Sequence, residues 1–329
     1  MGEGEPVEAL YSDTNQLRVG DVVGHNVEVL FLKEDIFNLP LFMGTEVHGI
    51  IGYDLFNNFA VEVNYLTKKL FLYDVDVFNA KFERLAKHRL WHRYPIILQD
   101  KKPYINVKLR HKKNAPLVAL RLLIDSGSSN AFSLYEGTND AIKIPKATIN
   151  TLIGVGFSGN VHGLLGRVQE MKLGDFTFEK PVIAYPDSQA IREAFFLGAR
   201  NGSLGAEVLR RFKMIFNYQK GYVLMRKNRN YKSRYDYKFS GIEINTPIPD
   251  FPLYVVSQIR EDSPADRKGV EKGDIIKRIN DKPSAKMKYN EVLGYFQKRK
   301  GSTLKIEVQR DSVYKRFRLK LKNTLVVDK

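Results

Sequence analysis

The feature that most limits what this chain can fold into is an internal repeat with an offset of 153 residues. The run His48-Gly49-Ile50-Ile51-Gly52-Tyr53-Asp54-Leu55-Phe56-Asn57-Asn58-Phe59 aligns with Asn201-Gly202-Ser203-Leu204-Gly205-Ala206-Glu207-Val208-Leu209-Arg210-Arg211-Phe212. The match persists through Val63-Asn64-Tyr65 against Phe216-Asn217-Tyr218, and Leu17-Arg18-Val19-Gly20-Asp21 matches Met171-Lys172-Leu173-Gly174-Asp175 with a one-residue slip. Each copy reads as a strand, a Gly-Asp turn, a second strand and a long loop. A Gly-x-x-Gly segment, one short helix ending at Phe and a hairpin around Asn-Tyr follow. Solenoid repeats are a few tens of residues long, so a unit of this size means two homologous lobes.

The second copy reaches further back than the first. Strands around Ile105–Leu109 and Val118–Ile124 lead into Asp125-Ser126-Gly127-Ser128-Ser129, and a glycine-rich stretch runs from Gly154 to Gly166. Shifted back by the repeat offset, Asp125 falls before residue 1, so the first lobe lacks its opening half. A third region begins near Phe239. Ser263-Pro264-Ala265-Asp266-Arg267-Lys268-Gly269-Val270 leads into Lys272-Gly273-Asp274-Ile275-Ile276-Lys277-Arg278-Ile279-Asn280. An amphipathic helix over Tyr289–Lys298 and strands over Leu304–Gln309 and Tyr314–Leu321 complete it. Its length suits one small domain.

Composition closes several routes. The chain has no Cys, which excludes disulfides, thiol nucleophiles and cysteine-ligated metal, and its six His are scattered, so neither metal nor cofactor is expected. No apolar run approaches the roughly 20 residues that span a bilayer. The acidic start MGEGEPVEAL is not a secretory signal. Lys and Arg number 53 against 37 Asp and Glu, a net charge of +16. The excess gathers in Lys81–Arg93, Arg226–Lys238 and Lys298–Lys322. Trp91, Tyr94, Tyr231, Tyr235 and Tyr237 interleave with it as a single-strand nucleic-acid binder would require. A solvated basic surface is the favoured reading, and nucleic acid is not expected as a partner.

Leu120-Arg121-Leu122-Leu123-Ile124-Asp125-Ser126-Gly127-Ser128 is an apolar strand that delivers a carboxylate into a tight turn. Gly127 lets the backbone turn sharply, and the hydroxyls of Ser126 and Ser128 can fix the carboxylate plane. Two carboxylates held close share one proton, because like charges at that distance cannot both ionise. The ionised one takes a proton from water while the other polarises the scissile carbonyl.

With Asp-Ser-Gly after an apolar strand, and Gly-x-x-Gly in two lobes, residues 10–226 resemble the retropepsin-like and pepsin-like aspartic proteases. In that family each lobe supplies Asp-[Ser/Thr]-Gly, and a later apolar-apolar-Gly segment crosses behind it. Ile50-Ile51-Gly52 fits that second signature, and Ser203-Leu204-Gly205 departs from it at Ser203. The resemblance implies catalytic Asp125, Ser126, Gly127 and Ser128. It also implies a substrate-covering flap over Gly154–Gly163, with Gly156, Phe157, Ser158 and Gly159 at the substrate. Asp13-Thr14-Asn15 does not supply the second aspartate: Asn replaces Gly, Tyr11-Ser12 precedes it, and the repeat aligns Asp13 with a position near Arg167. The chain is therefore expected to be a fragment of a two-aspartate protease, inactive alone unless self-association pairs two Asp125 side chains.

The Ser-Pro-Ala-x-x-x-Gly-Val-x-x-Gly-Asp-Ile-Ile-x-x-Ile-Asn run makes Phe239–Lys322 resemble the PDZ domains of bacterial envelope proteases. That resemblance implies capture of an extended peptide beside Tyr254–Ile259. Leu253, Tyr254 and Val255 would form one wall, and Val292 and Phe296 of the helix the other. Phe251-Pro252-Leu253-Tyr254 stands where a carboxylate-binding loop would be, and Pro252 removes one N–H donor.

The expected architecture is mainly β, two acid-protease-type β-barrel lobes plus a small α+β PDZ domain. Residues 1–80 form the second half of a first lobe, 81–94 a basic connector, 95–226 a second lobe, 227–238 a basic linker, 239–322 the PDZ domain and 323–329 a tail. The expected activity is metal-free peptide-bond hydrolysis, with peptide or protein as substrate and a peptide as PDZ ligand. The family setting is bacterial, exported or in the cell envelope for a full-length protein. The alternative is a non-catalytic peptide-binding protein with a degenerate protease groove.

Overall fold

Two hairpins related by the repeat build one sheet between them. In the computed structural model, which describes residues 8–35, 38–156, 159–187, 200–235, 237, 239–296, 301–321 and 325–328, the chain is mostly β. It begins with the hairpin β1 (Ala9–Val19) and β2 (Val22–Leu32), turned at Gly20 with φ 61°. Short helices α1 (Leu39–Met43) and α2 (Tyr53–Asn58) precede a second hairpin, β3 (Ala60–Asn64) and β4 (Lys69–Tyr73). Helix α3 (Val75–Ala86) follows, its first turn capped by the Asp74 carboxylate, which accepts from the N–H groups of Asp76 and Val77. Strand β5 (His92–Pro95) comes next.

The second lobe holds β6 (Ile97–Gln99), β7 (Lys102–Arg110), β8 (Val118–Asp125), β9 (Phe132–Leu134), β10 (Ile149–Gly156), β11 (Gly159–Arg167), β12 (Glu170–Leu173), β13 (Phe176–Glu179), β14 (Val182–Pro186) and β15 (Gly202–Gly205). Helix α4 (Ala206–Leu209) and the hairpin β16 (Phe212–Asn217) and β17 (Tyr222–Lys227) end it. Its main sheet runs β10-β11-β14-β9-β15-β8-β7-β12-β13, with β6 beside β7. The core beneath it includes Leu122, Phe132, Phe176, Val208 and Phe212.

The shared sheet runs β4-β3-β16-β17-β5. Strands β3 and β16 pair antiparallel, and Glu62 stands opposite Ile215, its own counterpart in the repeat. A local two-fold axis therefore passes between these two residues. Glu62 is buried there, with its carboxylate 2.7 Å from Lys213 Nζ.

The lobes are unequal in what covers them. Strands β12 and β13 join the large sheet through β7, whereas β1 and β2 form a two-stranded sheet by themselves. Leu17 is 37% exposed and its counterpart Met171 is fully buried; Ile51 is 51% exposed and its counterpart Leu204 only 1%. The first lobe thus presents, open to solvent, the apolar faces that the second lobe covers with β7, β8 and β9.

The third unit consists of β18 (Ile242–Asn245), β19 (Val255–Ile259), β20 (Ile275–Ile279), β21 (Lys282–Pro283), helix α5 (Tyr289–Phe296), β22 (Thr303–Arg310) and β23 (Val313–Lys320), in sheet order β18-β19-β20-β22-β23. Gly269, at φ 77°, ends the single helical turn that follows Pro264. The core contains Val256, Ile276, Val292, Phe296 and Leu319.

Segments expected to be solvated connectors are structural. The basic connector 81–94 contains the end of α3 and most of β5, which pairs with β17. Within the expected linker 227–238, the carbonyls of Asn230, Tyr231 and Ser233 accept from the guanidinium of Arg211, which is fully buried. The same guanidinium pairs with Glu207 Oε1 at 2.7 Å and lies 3.9 Å from the Tyr235 ring centroid. The expected tail is docked too: Leu325 is buried, Val327 bridges Arg167, and Asp328 accepts from the Lys146 N–H.

Candidate active site

Strand β8 alternates toward the core, burying Leu120 and Leu122, and ends with Asp125 half-buried. Asp125 Oδ1 accepts from the N–H groups of Gly127 at 3.0 Å and Ser128 at 3.2 Å, an Asx turn that fixes one carboxylate oxygen. Ser126 and Gly127 are exposed at the tip, and Ser128 is half-buried.

The segment behind the turn is β15. It pairs parallel with β8, bringing Gly205 beside Asp125, and antiparallel with β9. Three successive N–H groups then grip the turn from behind: Gly205 donates to Ala131 O at 3.0 Å, Ala206 to Ser128 O at 2.7 Å and Glu207 to Asn130 O at 3.4 Å. A Cβ on Gly205 would lie 2.3 Å from Asn130 O and 2.8 Å from Ser128 O, so the backbones approach this closely only with glycine there. Ser203, the departure from the apolar pattern, stands opposite Ser133, and both are buried.

The equivalent position in the first lobe is empty-handed. Ile50-Ile51-Gly52 has the matching sequence, yet a Cβ on Gly52 would meet nothing within 4 Å among the described residues, and Ile50 is 70% exposed. One carboxylate turn is therefore fully assembled, and the surface that would back a second is bare.

The expected flap is the hairpin β10–β11, in which Gly156 pairs with Gly159. Phe157 and Ser158 lie outside the described residues. Its base is anchored away from the tip: Ile149 and Leu165 pack against the core of the third unit, and Arg167 Nη2 donates to Tyr235 O at 2.7 Å.

The expected peptide groove of the third unit needs correction. Strand β19 lies between β18 and β20, pairing with both, so its edges are already spent. The Val256 N–H and C=O bond Asp274 O and Gly273 N, and Tyr254 O accepts from Ile276 N. Tyr254, Val292 and Phe296 are buried in the core, and Leu253 and Val255 are half-buried beside them. The strand beside β19 that ends the sheet is β18, and β23 ends it on the other side. A long-range pairing decided this, and neither strand's own sequence signals it.

The aromatic residues that interleave with the first two basic segments are covered, whereas Tyr314 in the third is 62% exposed. Trp91, Tyr94, Tyr235 and Tyr237 are all buried, and Tyr231 packs against the second-lobe core. Burial pushes the Tyr94 phenol up to about 12, against the opposing pull of the Asp175 N–H it accepts. Desolvation lowers the pKa of His111. The polar side-chain contacts of His among the described residues run to Gln16, Glu46, the Leu90 N–H and Asp175, and no Ser–His hydrogen bond occurs among the described residues.

No curated protein matches the chain. Among solved structures, a variant of the HtrA-type protease AlgW with a decapeptide is 14% identical, at a TM-score of 0.25, over 66% of this chain and 59% of that one. A retropepsin-like aspartic protease from Rickettsia conorii is 18% identical, at a TM-score of 0.27, over 41% of this chain and 97% of that one. A serine endoprotease from Yersinia pestis is 14% identical, at a TM-score of 0.22, over 80% and 75%. No helix among the described residues is long and apolar enough to cross a membrane. The family model that matches is that of the PDZ domain, over residues 226–321, and this third unit is a PDZ domain.

Proposed function

We propose that the two-lobed body belongs to an aspartic-type peptidase, with Asp125 as one carboxylate of a catalytic pair and the PDZ domain as a peptide-recruiting or regulatory module. The observation that carries this reading is the β8–turn–β15 arrangement. An apolar strand ends in Asp-Ser-Gly, and a parallel glycine-terminated strand grips the turn from behind. The shared sheet supports a pseudo-symmetric enzyme, because a two-fold axis between Glu62 and Ile215 relates Asp125 to a position in front of Ile50-Ile51-Gly52. A second Asp-[Ser/Thr]-Gly turn, from another segment or another copy, would complete the site there.

In that site one carboxylate removes a proton from water as the water oxygen bonds the carbonyl carbon. The other donates its proton to the carbonyl oxygen. Collapse of the resulting diol breaks the C–N bond, and the nitrogen leaves protonated. Asp125, held through Oδ1, keeps Oδ2 available for this exchange. The second reading, a peptide-binding protein without hydrolysis, is favoured by the bare first-lobe face.

The test is cleavage of an unfolded protein substrate across acid to neutral pH by the chain and by Asp125→Asn. Cleavage that the single change abolishes supports the proposal. Cleavage that survives it overturns the proposal. Absence of cleavage, both alone and after addition of a strand–Asp-Thr-Gly half-lobe patterned on residues 97–135, favours the binding reading.

A further inference from the structure

The β18 edge of the PDZ sheet is not open along its whole length. An extended peptide joining this domain would lie along β18, with α5 as the opposite wall. At the far end of that groove stands a piece of the first lobe. Helix α1 lies against β18, and the N–H of Thr246, just past that strand, donates to Leu41 O at 2.9 Å. The Asp250 N–H, in the loop between β18 and β19, donates to Gly44 O at 3.2 Å, and Thr45 Oγ1 donates to the Asp250 carboxylate at 3.3 Å.

The fit against α5 is close. Gly44 adopts φ 71°, and a Cβ there would lie 2.5 Å from Cβ of Tyr289, the first residue of α5. Tyr289 in turn reaches across the groove, its hydroxyl donating to Ile244 O at 2.9 Å. The Ile244 carbonyl of β18 and the Thr246 N–H two residues on are thus already satisfied within the chain. Asn245 Oδ1, at the end of the same strand, is buried without a hydrogen-bond partner among the described residues, an acceptor that an incoming N–H could use.

We propose that Asn38–Thr45 is a built-in plug at the mouth of the PDZ peptide groove, and that an extended peptide entering between β18 and α5 displaces it. The same segment runs on into Gly49–Gly52, so displacement would be felt in the first lobe at the surface in front of which a second carboxylate turn would sit. The plug rests on the PDZ domain alone and stands whether or not the body hydrolyses peptides.

The side chain that Gly44 lacks makes the plug removable without touching the groove. In Gly44→Val a Cβ meets Tyr289 and a β-branched residue is forced to positive φ, so the docked state is disfavoured. Random heptapeptides with free C-termini, displayed on phage, are selected on full-length Gly44→Val, and the enriched sequence is measured as a synthetic peptide on both proteins. The expected result is binding at least ten-fold tighter to the variant. In the wild type, saturating peptide should also release the Thr246 and Asp250 amides to hydrogen exchange. Thr45→Ala, which loses one hydrogen bond, should tighten binding by roughly two- to ten-fold, and this milder variant serves if Gly44→Val does not fold. Equal affinity for wild type and variants, failure to enrich any peptide, or a Thr246 amide still protected in the complex overturns the proposal.

Discussion

Leu204 and Ile51 occupy the same place in the two copies of the repeat, and their truncation separates a covered lobe from an uncovered one. Leu204 is 1% exposed in β15, between β8 and β9, opposite Ile124 and Phe132. Leu204→Ala removes three carbons worth about 0.8 kcal/mol each in transfer, or about 2.4 kcal/mol. The cavity left between two paired strands adds to this, for a total of roughly 3–4 kcal/mol within the usual range for buried Leu→Ala. Ile51, 51% exposed, has already left about half its transfer energy in water and leaves no cavity, so Ile51→Ala should cost about 1 kcal/mol. Urea unfolding followed by near-ultraviolet circular dichroism reads both as midpoint shifts at unchanged slope. If Ile51→Ala costs as much as Leu204→Ala, the first-lobe face is covered in solution, and the account of an exposed Ile51 fails.

Other changes have equally definite outcomes. Gly205→Ala pushes a methyl against carbonyls already tethered to residues 206 and 207, so it should cost about 1–3 kcal/mol and abolish any Asp125-dependent cleavage. Arg211→Leu strips a buried guanidinium from Glu207 and from the carbonyls of 230–233. It should destabilise by about 3–5 kcal/mol, read as a lowered urea midpoint. For Tyr94 the folded pKa of about 12 lies above the 10.0 of a solvated phenol. Its stabilising contribution is therefore full below pH 10 and is lost as pH rises through about 12, so phenolate absorbance and unfolding should rise together over that window.

Much of this arrangement was legible because repeats and strand-end carboxylates leave local marks. The repeat foretold paired hairpins, and β3 and β16 meet at repeat-equivalent positions. The alternation of Leu120 and Leu122 ahead of Asp125 placed the turn, and the Ser-Pro-Ala to Ile-Asn run marked the PDZ domain. What was hidden depends on partners distant in sequence. Ile242–Asn245 and Val255–Ile259 both read as apolar strands, and only pairing with β20 reveals which one is central. Arg211 reads as one more cation, and the stretch after Lys227 as a solvated linker, until carbonyls of the second enclose the first. Gly44 gave no local signal of its closeness to Tyr289, far along the chain.

The shared sheet also sets an order of events during synthesis. Strand β3 has β4 beside it at once, but its other neighbour, β16, is made some 150 residues later. At about 5–20 residues per second, the hairpin spends on the order of 8–30 s with one ladder of N–H and C=O groups unpaired. A nascent chain that long outside the ribosome with an open β edge is prone to pair with the wrong strand. The second-lobe core includes Phe212, Met214 and Phe216 of β16 and Val223 and Met225 beyond it, so the open edge of β3 is closed only as that core itself is completed.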